Sequence, residues 1–119
     1  MARIVVVDDA AFMRLSIKRI LEQNGHTVIA EGSNGQQAFE LYQQHHPDLV
    51  TMDITMPDVT GIEGLKMIKG FDKSAKVIMV SAMGQEYLVR EAILSGAASF
   101  IVKPFNEEKL VMTVKQLLS

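Results

Sequence analysis

Cysteine is absent from the 119 residues, which excludes disulfides, thiolate metal sites and a cysteine nucleophile. Excess positive charge is missing too. Twelve Lys and Arg stand against fourteen Asp and Glu, a formal charge of -2, so nothing suggests a grip on phosphate backbones and direct nucleic-acid binding is disfavoured. Apolar runs such as Ile4 to Val7 and Ala10 to Met13 fall far short of the ~20 residues that span a bilayer. The opening Met1-Ala2-Arg3 enters a strand-like run at once, without a signal peptide's apolar region, so a cytoplasmic location is expected. No Pro-, Gly- or Ser-rich stretch marks a linker, and residues 1–119 are expected to form a single domain with no output domain.

What is present is 48% apolar and 22% charged, enough to fill a core. Short Val- and Ile-rich runs recur at Ile4–Val7, Val28–Ala30, Leu49–Met52, Val77–Val80 and Phe100–Val102, and they read as buried strands. Between them apolar residues take helical spacing, as in Met13, Ile17, Ile20 and Leu21, or Leu110, Val114, Leu117 and Leu118. Asn24-Gly25, Gly70 and Gly96 sit where helices should end, and Asn34 and Asn106 where helices should begin. Alternation of this kind predicts a doubly wound α/β sandwich: a five-stranded parallel sheet covered on both faces and joined by right-handed crossovers.

In an open parallel sheet, ligands bind beyond the carboxyl ends of the strands. Those ends are polar here. The first strand ends in Asp8-Asp9, the third in Asp53, the fourth in Ser81, and the fifth runs into Lys103-Pro104. Adjacent strands lie ~4.8 Å apart, so three carboxylates, a hydroxyl and an ammonium converge on one edge. Clustered carboxylates repel unless a hard cation such as Mg²⁺ joins them, and Lys103 adds a point charge suited to a phosphoryl group. Taken singly, each residue has a plainer reading: Asp8-Asp9 as a helix cap, Asp53 as a turn residue, Ser81 as a cap, Lys103 as a solvated loop residue. Their joint placement at the ends of four strands points to a site.

The runs Val7-Asp8-Asp9, Met52-Asp53-Ile54-Thr55-Met56-Pro57, Ser81-Ala82 and Val102-Lys103-Pro104-Phe105 together resemble the receiver domain of two-component response regulators. Asp8-Asp9-Ala10-Ala11-Phe12-Met13-Arg14 and Ser81-Ala82-Met83-Gly84-Gln85 are similar, more narrowly, to the stand-alone chemotaxis regulators. The resemblance implies a flavodoxin-like (βα)5 fold with strand order 2-1-3-4-5. It implies that Asp53 is the phosphoacceptor, receiving its phosphoryl group from a histidine kinase. Mg²⁺ is then ligated by Asp9, Asp53 and the backbone carbonyl of Thr55, with Asp8 acting through a water. Lys103 and Ser81 bind the phosphoryl oxygens, across a cis Lys103-Pro104 bond. Ser81 and Phe100 form the switch, Thr55 and Met83 tune dephosphorylation, and Tyr87, Val89 and Phe100 lie on the output face.

By the same resemblance the chain is a monomeric phosphoprotein, not an enzyme in its own right beyond slow self-dephosphorylation. Its partners are a chemotaxis-type kinase, a downstream target such as a flagellar motor switch protein, and a phosphatase. Neither nucleic acid nor membrane is a partner. Phe100 replaces the tyrosine of many family members, so its rotation rests on packing alone. Leu15, Tyr87 and Val89 are more apolar than one buried stripe needs, and either surface scatter or a partner contact explains them. The eight methionines read as core filler, and His26, His45 and His46 as loop residues away from the strand ends.

Other readings weigh less. A flavin-binding protein needs hydroxyls and glycines where Asp8-Asp9-Ala10-Ala11 stands. A Mg²⁺-dependent aspartyl phosphohydrolase needs a second acid where Thr55 stands. A single-domain receiver in another phosphorelay stays open as the alternative to chemotaxis.

Overall fold

The computed structural model describes every residue, Met1–Ser119. Strand β1 (Arg3–Val7) leads into α1 (Ala11–Gln23), and β2 (Thr27–Gly32) into α2 (Gly35–His45). Strand β3 (Leu49–Asp53) is followed by α3 (Gly61–Phe71), β4 (Val77–Ala82) by α4 (Glu86–Leu94), and β5 (Ser99–Lys103) by α5 (Glu107–Leu118). The five strands form one sheet in the order β2-β1-β3-β4-β5, and every pairing is parallel.

Side chains alternate across a strand, and two cores result. Ile4, Val6, Leu49, Ile78 and Ile101 face Ile17 and Leu21 of α1 and Leu110 and Val114 of α5. Val5, Val7, Val50, Met52, Val77 and Met79 face Ala38 and Tyr42 of α2, Leu65 and Ile68 of α3, and Val89 and Ala92 of α4. Strands covered on both sides carry no polar face, which is why β1 from Ile4, β3 and β4 read as apolar runs, interrupted only by the buried Thr51, up to Asp8, Asp53 and Ser81.

Local signals set the helix ends. Asn34 and Asn106 cap α2 and α5, accepting from Gln37 N–H at 2.9 Å and Lys109 N–H at 2.7 Å. Thr60 and Glu63 form a reciprocal capping box on α3. Gly25 and Gly96 take positive φ just beyond α1 and α4, as expected of glycine at a helix end. Gly70 does not end a helix. It lies inside α3, which runs on to Phe71 and closes at Asp72, and an added Cβ there would meet nothing. With a free surface around it, Gly70 is tolerated rather than required.

Two further expectations are corrected by packing. Val89 is no spare surface residue: it is buried in the α4 stripe beside Ala92. The methionines divide, with Met52, Met56 and Met79 buried but Met83 and Met112 exposed, so only some fill the core.

Candidate functional site at the carboxyl edge of the sheet

Register places the polar strand ends side by side. Val7 pairs with Met52, Asp53 with Val80, and Ala82 with Lys103, so Asp8, Asp53, Ser81 and Lys103 emerge along one edge. One carboxylate oxygen each from Asp8, Asp9 and Asp53 lies within 4.8 Å of the others. Asp8 and Asp53 are buried, while Asp9 is exposed. The Lys103 ammonium reaches in from β5, 3.2 Å from Asp8 Oδ2 and 3.4 Å from Asp53 Oδ1. The bond between Lys103 and Pro104 is cis.

The Asp8-Asp9 turn is braced from behind. Asp8 Oδ1 accepts the Ala10 N–H at 2.9 Å, and the Arg14 guanidinium donates to the Asp8 carbonyl at 2.6 Å. Arg14 also pairs with Glu31 at the end of β2, 3.3 Å away. Asp8 and Asp9 do not cap α1 by side chain, since the capping position is Ala10. Asp53 is held by a close approach that only glycine permits. Gly61 N–H donates to the Ile54 carbonyl at 2.8 Å, and a Cβ on Gly61 would overlap the Asp53 carbonyl oxygen. The sequence carried this signal in the glycine before the Ile62 stripe, but its meaning depends on a backbone contact seen only in three dimensions.

Burial is the main influence on the Asp53 carboxyl, pushing its pKa up to about 6; Lys103 opposes that shift, and Asp8 and Asp9 add to it by repulsion. At pH 7 the group is still mostly ionised. Ser81 is 1% exposed, and its hydroxyl has no hydrogen-bond partner. A buried hydroxyl without a partner is costly, and Thr51 Oγ1 on β3 is in the same state; of the two, Ser81 is the one at the acidic edge. Thr55 is exposed, and its Oγ1 accepts from the Gln85 side chain at 2.7 Å.

Beyond Ser81 a cavity of about 480 Å³ opens between α4 and β5. Val89 forms part of its lining, with Ile93, Leu94, Phe100 and Val102. Phe100 is 39% exposed, so its ring has room to change position. Met83 and Tyr87 are exposed on the same side. Leu15 and Phe12 are exposed on α1, and Phe12, three residues after Asp9, is an exposed aromatic that periodicity alone did not single out. The histidines lie apart from this edge: His46 closes α2 in a left-handed conformation, and His26 Nδ1 accepts the Ala2 N–H at 3.2 Å.

The sheet order, an edge of converging acids and a lysine from β5 define a class, and comparison with known proteins agrees. Residues 4–115 match the response regulator receiver domain, and the chain belongs to that family. It is 55% identical over 117 residues to the chemotaxis protein CheY of Bacillus subtilis (strain 168), covering 98% of each chain. It is 48% identical to CheY of Thermotoga maritima, over 97% of this chain and 96% of that protein. Among solved structures it is similar to the CheX-CheY-BeF3-Mg²⁺ complex of Borrelia burgdorferi, with a TM-score of 0.93 and 38% identity over 98% of this chain and 89% of that one. The chain is thus a receiver domain closely related to the CheY chemotaxis regulators.

Proposed function

We propose that the chain is a phosphorylation-activated, single-domain response regulator in which Asp53 accepts a phosphoryl group from a histidine kinase. The observation that carries this reading is the meeting of Asp8, Asp9, Asp53 and Lys103 around one point, with the partnerless Ser81 hydroxyl at the same edge. Acting alone as one domain is supported by the CheY relatives, of which the chain covers 98% and 96%.

Three carboxylates this close are a hard-oxygen donor set that fits Mg²⁺. Asp9 and Asp53 would hold the ion with the Thr55 backbone carbonyl, Asp8 acting through a water, and the bound ion would offset the negative charge gathered during transfer. An ionised Asp53 oxygen attacks the phosphorus of a phosphohistidine. The new O–P bond forms as the P–N bond breaks, and the electron pair stays on the imidazole nitrogen, which then takes up a proton. Lys103 draws the phosphoryl oxygens by charge, and Ser81 donates its hydroxyl to one of them. Thr55 and Met83 flank the approach of the water that later hydrolyses the acyl phosphate. On this reading Thr55 and Met83 tune a slow self-dephosphorylation, and the chain acts as a switch rather than as a turnover enzyme.

The displacement of Ser81 lets Phe100 turn toward the cavity beneath it, which reshapes the face of α4, β5 and α5. Tyr87 and Phe100 present that face to a partner, with Val89 contributing from below. Chemotaxis is supported by the two CheY relatives, and with it we infer as partners a chemotaxis-type kinase, a downstream target such as a flagellar motor switch protein, and a phosphatase. The regulator works as a monomer in the cytoplasm, without nucleic acid or membrane. No helix is long and apolar enough to cross a membrane. Pull-down of a motor switch protein with and without beryllofluoride and Mg²⁺, followed by contact mapping, tests the reading. Contacts on the α4 face that strengthen with beryllofluoride are expected. Contacts confined to α2 and α3 would contradict it.

A further inference from the structure

Gln85 precedes α4, and its side chain does two things at once. Its carboxamide oxygen accepts the Ala82 N–H at 2.8 Å, and its nitrogen donates to Thr55 Oγ1 at 2.7 Å. Ala82 directly follows Ser81, and Thr55 lies two residues beyond Asp53. No other side-chain hydrogen bond joins the β4–α4 loop to the β3–α3 loop, and Gly84, at φ +88°, turns the chain between Ala82 and Gln85.

Little else fixes this end of α4. The helix buries only Val89 and Ala92. A cavity of about 190 Å³, lined by Thr55, Ile62, Lys66 and Leu88 among others, separates it from α3. The Lys66–Glu91 pair at 3.5 Å bridges the two helices, but both side chains are more than half exposed, and such pairs contribute little. The β5 ladder holds the Ser81–Ala82 end of β4 on one side, and the two Gln85 bonds are the side-chain hydrogen bonds that tie it to the β3–α3 loop on the other.

We propose that Gln85 is a positioning residue of the phosphoryl site, a latch that holds the Ser81–Ala82 end of β4 in its resting place by tying it to Thr55. The proposal rests on the phosphoacceptor reading above. Ser81 is 1% exposed and its hydroxyl has no partner in the latched arrangement, so a phosphoryl group arriving from outside reaches it as this segment shifts. That shift breaks or lengthens the Gln85 bonds. Binding of a phosphoryl group is therefore opposed by the latch, and releasing the latch raises affinity.

The test is calorimetric titration of beryllofluoride with excess Mg²⁺ into wild type, Gln85→Ala, Thr55→Val and the double variant, with a thermal melt of each. Gln85→Ala should bind beryllofluoride about three- to tenfold more tightly, the range a hydrogen bond's net contribution sets. Thr55→Val should shift affinity the same way, and the double variant should gain no more than Gln85→Ala alone, because both changes open one latch. A merely structural loss would lower the melt without this non-additive gain. Unchanged or weaker binding by a folded Gln85→Ala, or simple additivity in the double variant, overturns the proposal. Wild type that binds no beryllofluoride at all would instead sink the phosphoacceptor reading, so the two failures are distinguishable.

Discussion

Lys103 Nζ stands 3.4 Å from Asp53 Oδ1, a contact between β5 and β3 that spans the intervening β4. The ammonium is the only cation within 4.0 Å of the buried acids, and it restrains the rise in the Asp53 pKa that burial causes. Its removal leaves Asp8 and Asp53 uncompensated. Lys103→Met should therefore raise the midpoint of the Asp53 carboxyl titration above that of wild type in metal-free protein, as read by carboxyl carbon NMR. It should also slow phosphoryl transfer from acetyl phosphate by at least about tenfold, the loss expected for a charge-assisted contact.

The raised Asp53 pKa has a defined effect on stability. A carboxyl whose pKa is higher in the folded protein than in the unfolded chain favours folding while protonated, below about 4, and that contribution is lost as pH rises through about 6. Asp53→Asn carries no charge at any pH. Without metal, the variant should be more stable than wild type at pH 7 by about 1–3 kcal/mol and show little difference near pH 4. Urea unfolding at the two pH values measures this. An equal difference at both would show that charge burial is not the cause.

Asp9 is the exposed member of the trio and has no cation partner of its own within 4.0 Å. Asp9→Ala should lose most Mg²⁺ affinity in a calorimetric titration and yet melt at a higher temperature than wild type in chelator, because repulsion with Asp8 and Asp53 is relieved. Added Mg²⁺ should reverse that order by stabilising the wild type alone, in proportion to ln(1 + [L]/Kd). Mg²⁺ affinity equal to wild type in this variant would remove Asp9 from the site.

Phe100 contributes no atom to the acidic edge and lines the cavity beside α4. Phe100→Ala should leave phosphorylation of Asp53 near the wild-type rate while reducing the preference of a partner for the phosphorylated form. A tenfold loss of preference corresponds to about 1.4 kcal/mol. Co-precipitation at matched phosphorylation measures it, and full retention of preference would assign the switch to other residues.

Which parts of this molecule are readable without coordinates follows from range. Strands buried on both faces announce themselves as apolar runs, and the first polar residue after each run, Asp8, Asp53 or Ser81, marks the ligand edge. Asn34 and Asn106 act on residues three positions away, so they too are visible in the chain. Gly70 misled because glycine at a helix end and glycine on an open helix face look alike in one dimension. Val89 looked surplus because a nine-residue α4 buries a narrower stripe than its apolar content suggests. The Gln85–Thr55 bond and the seat of Asp53 on Gly61 join residues brought together only by the sheet, one pair 30 positions apart, and no local pattern encodes them.

Intact-mass analysis after incubation with acetyl phosphate tests the central claim most directly, run on wild type and Asp53→Asn, each with Mg²⁺ and with chelator. One added phosphoryl group is expected on wild type with Mg²⁺ only, lost on mild alkaline treatment as an acyl phosphate requires, and none on Asp53→Asn. Labelling of Asp53→Asn to the wild-type extent and at the wild-type rate would contradict it.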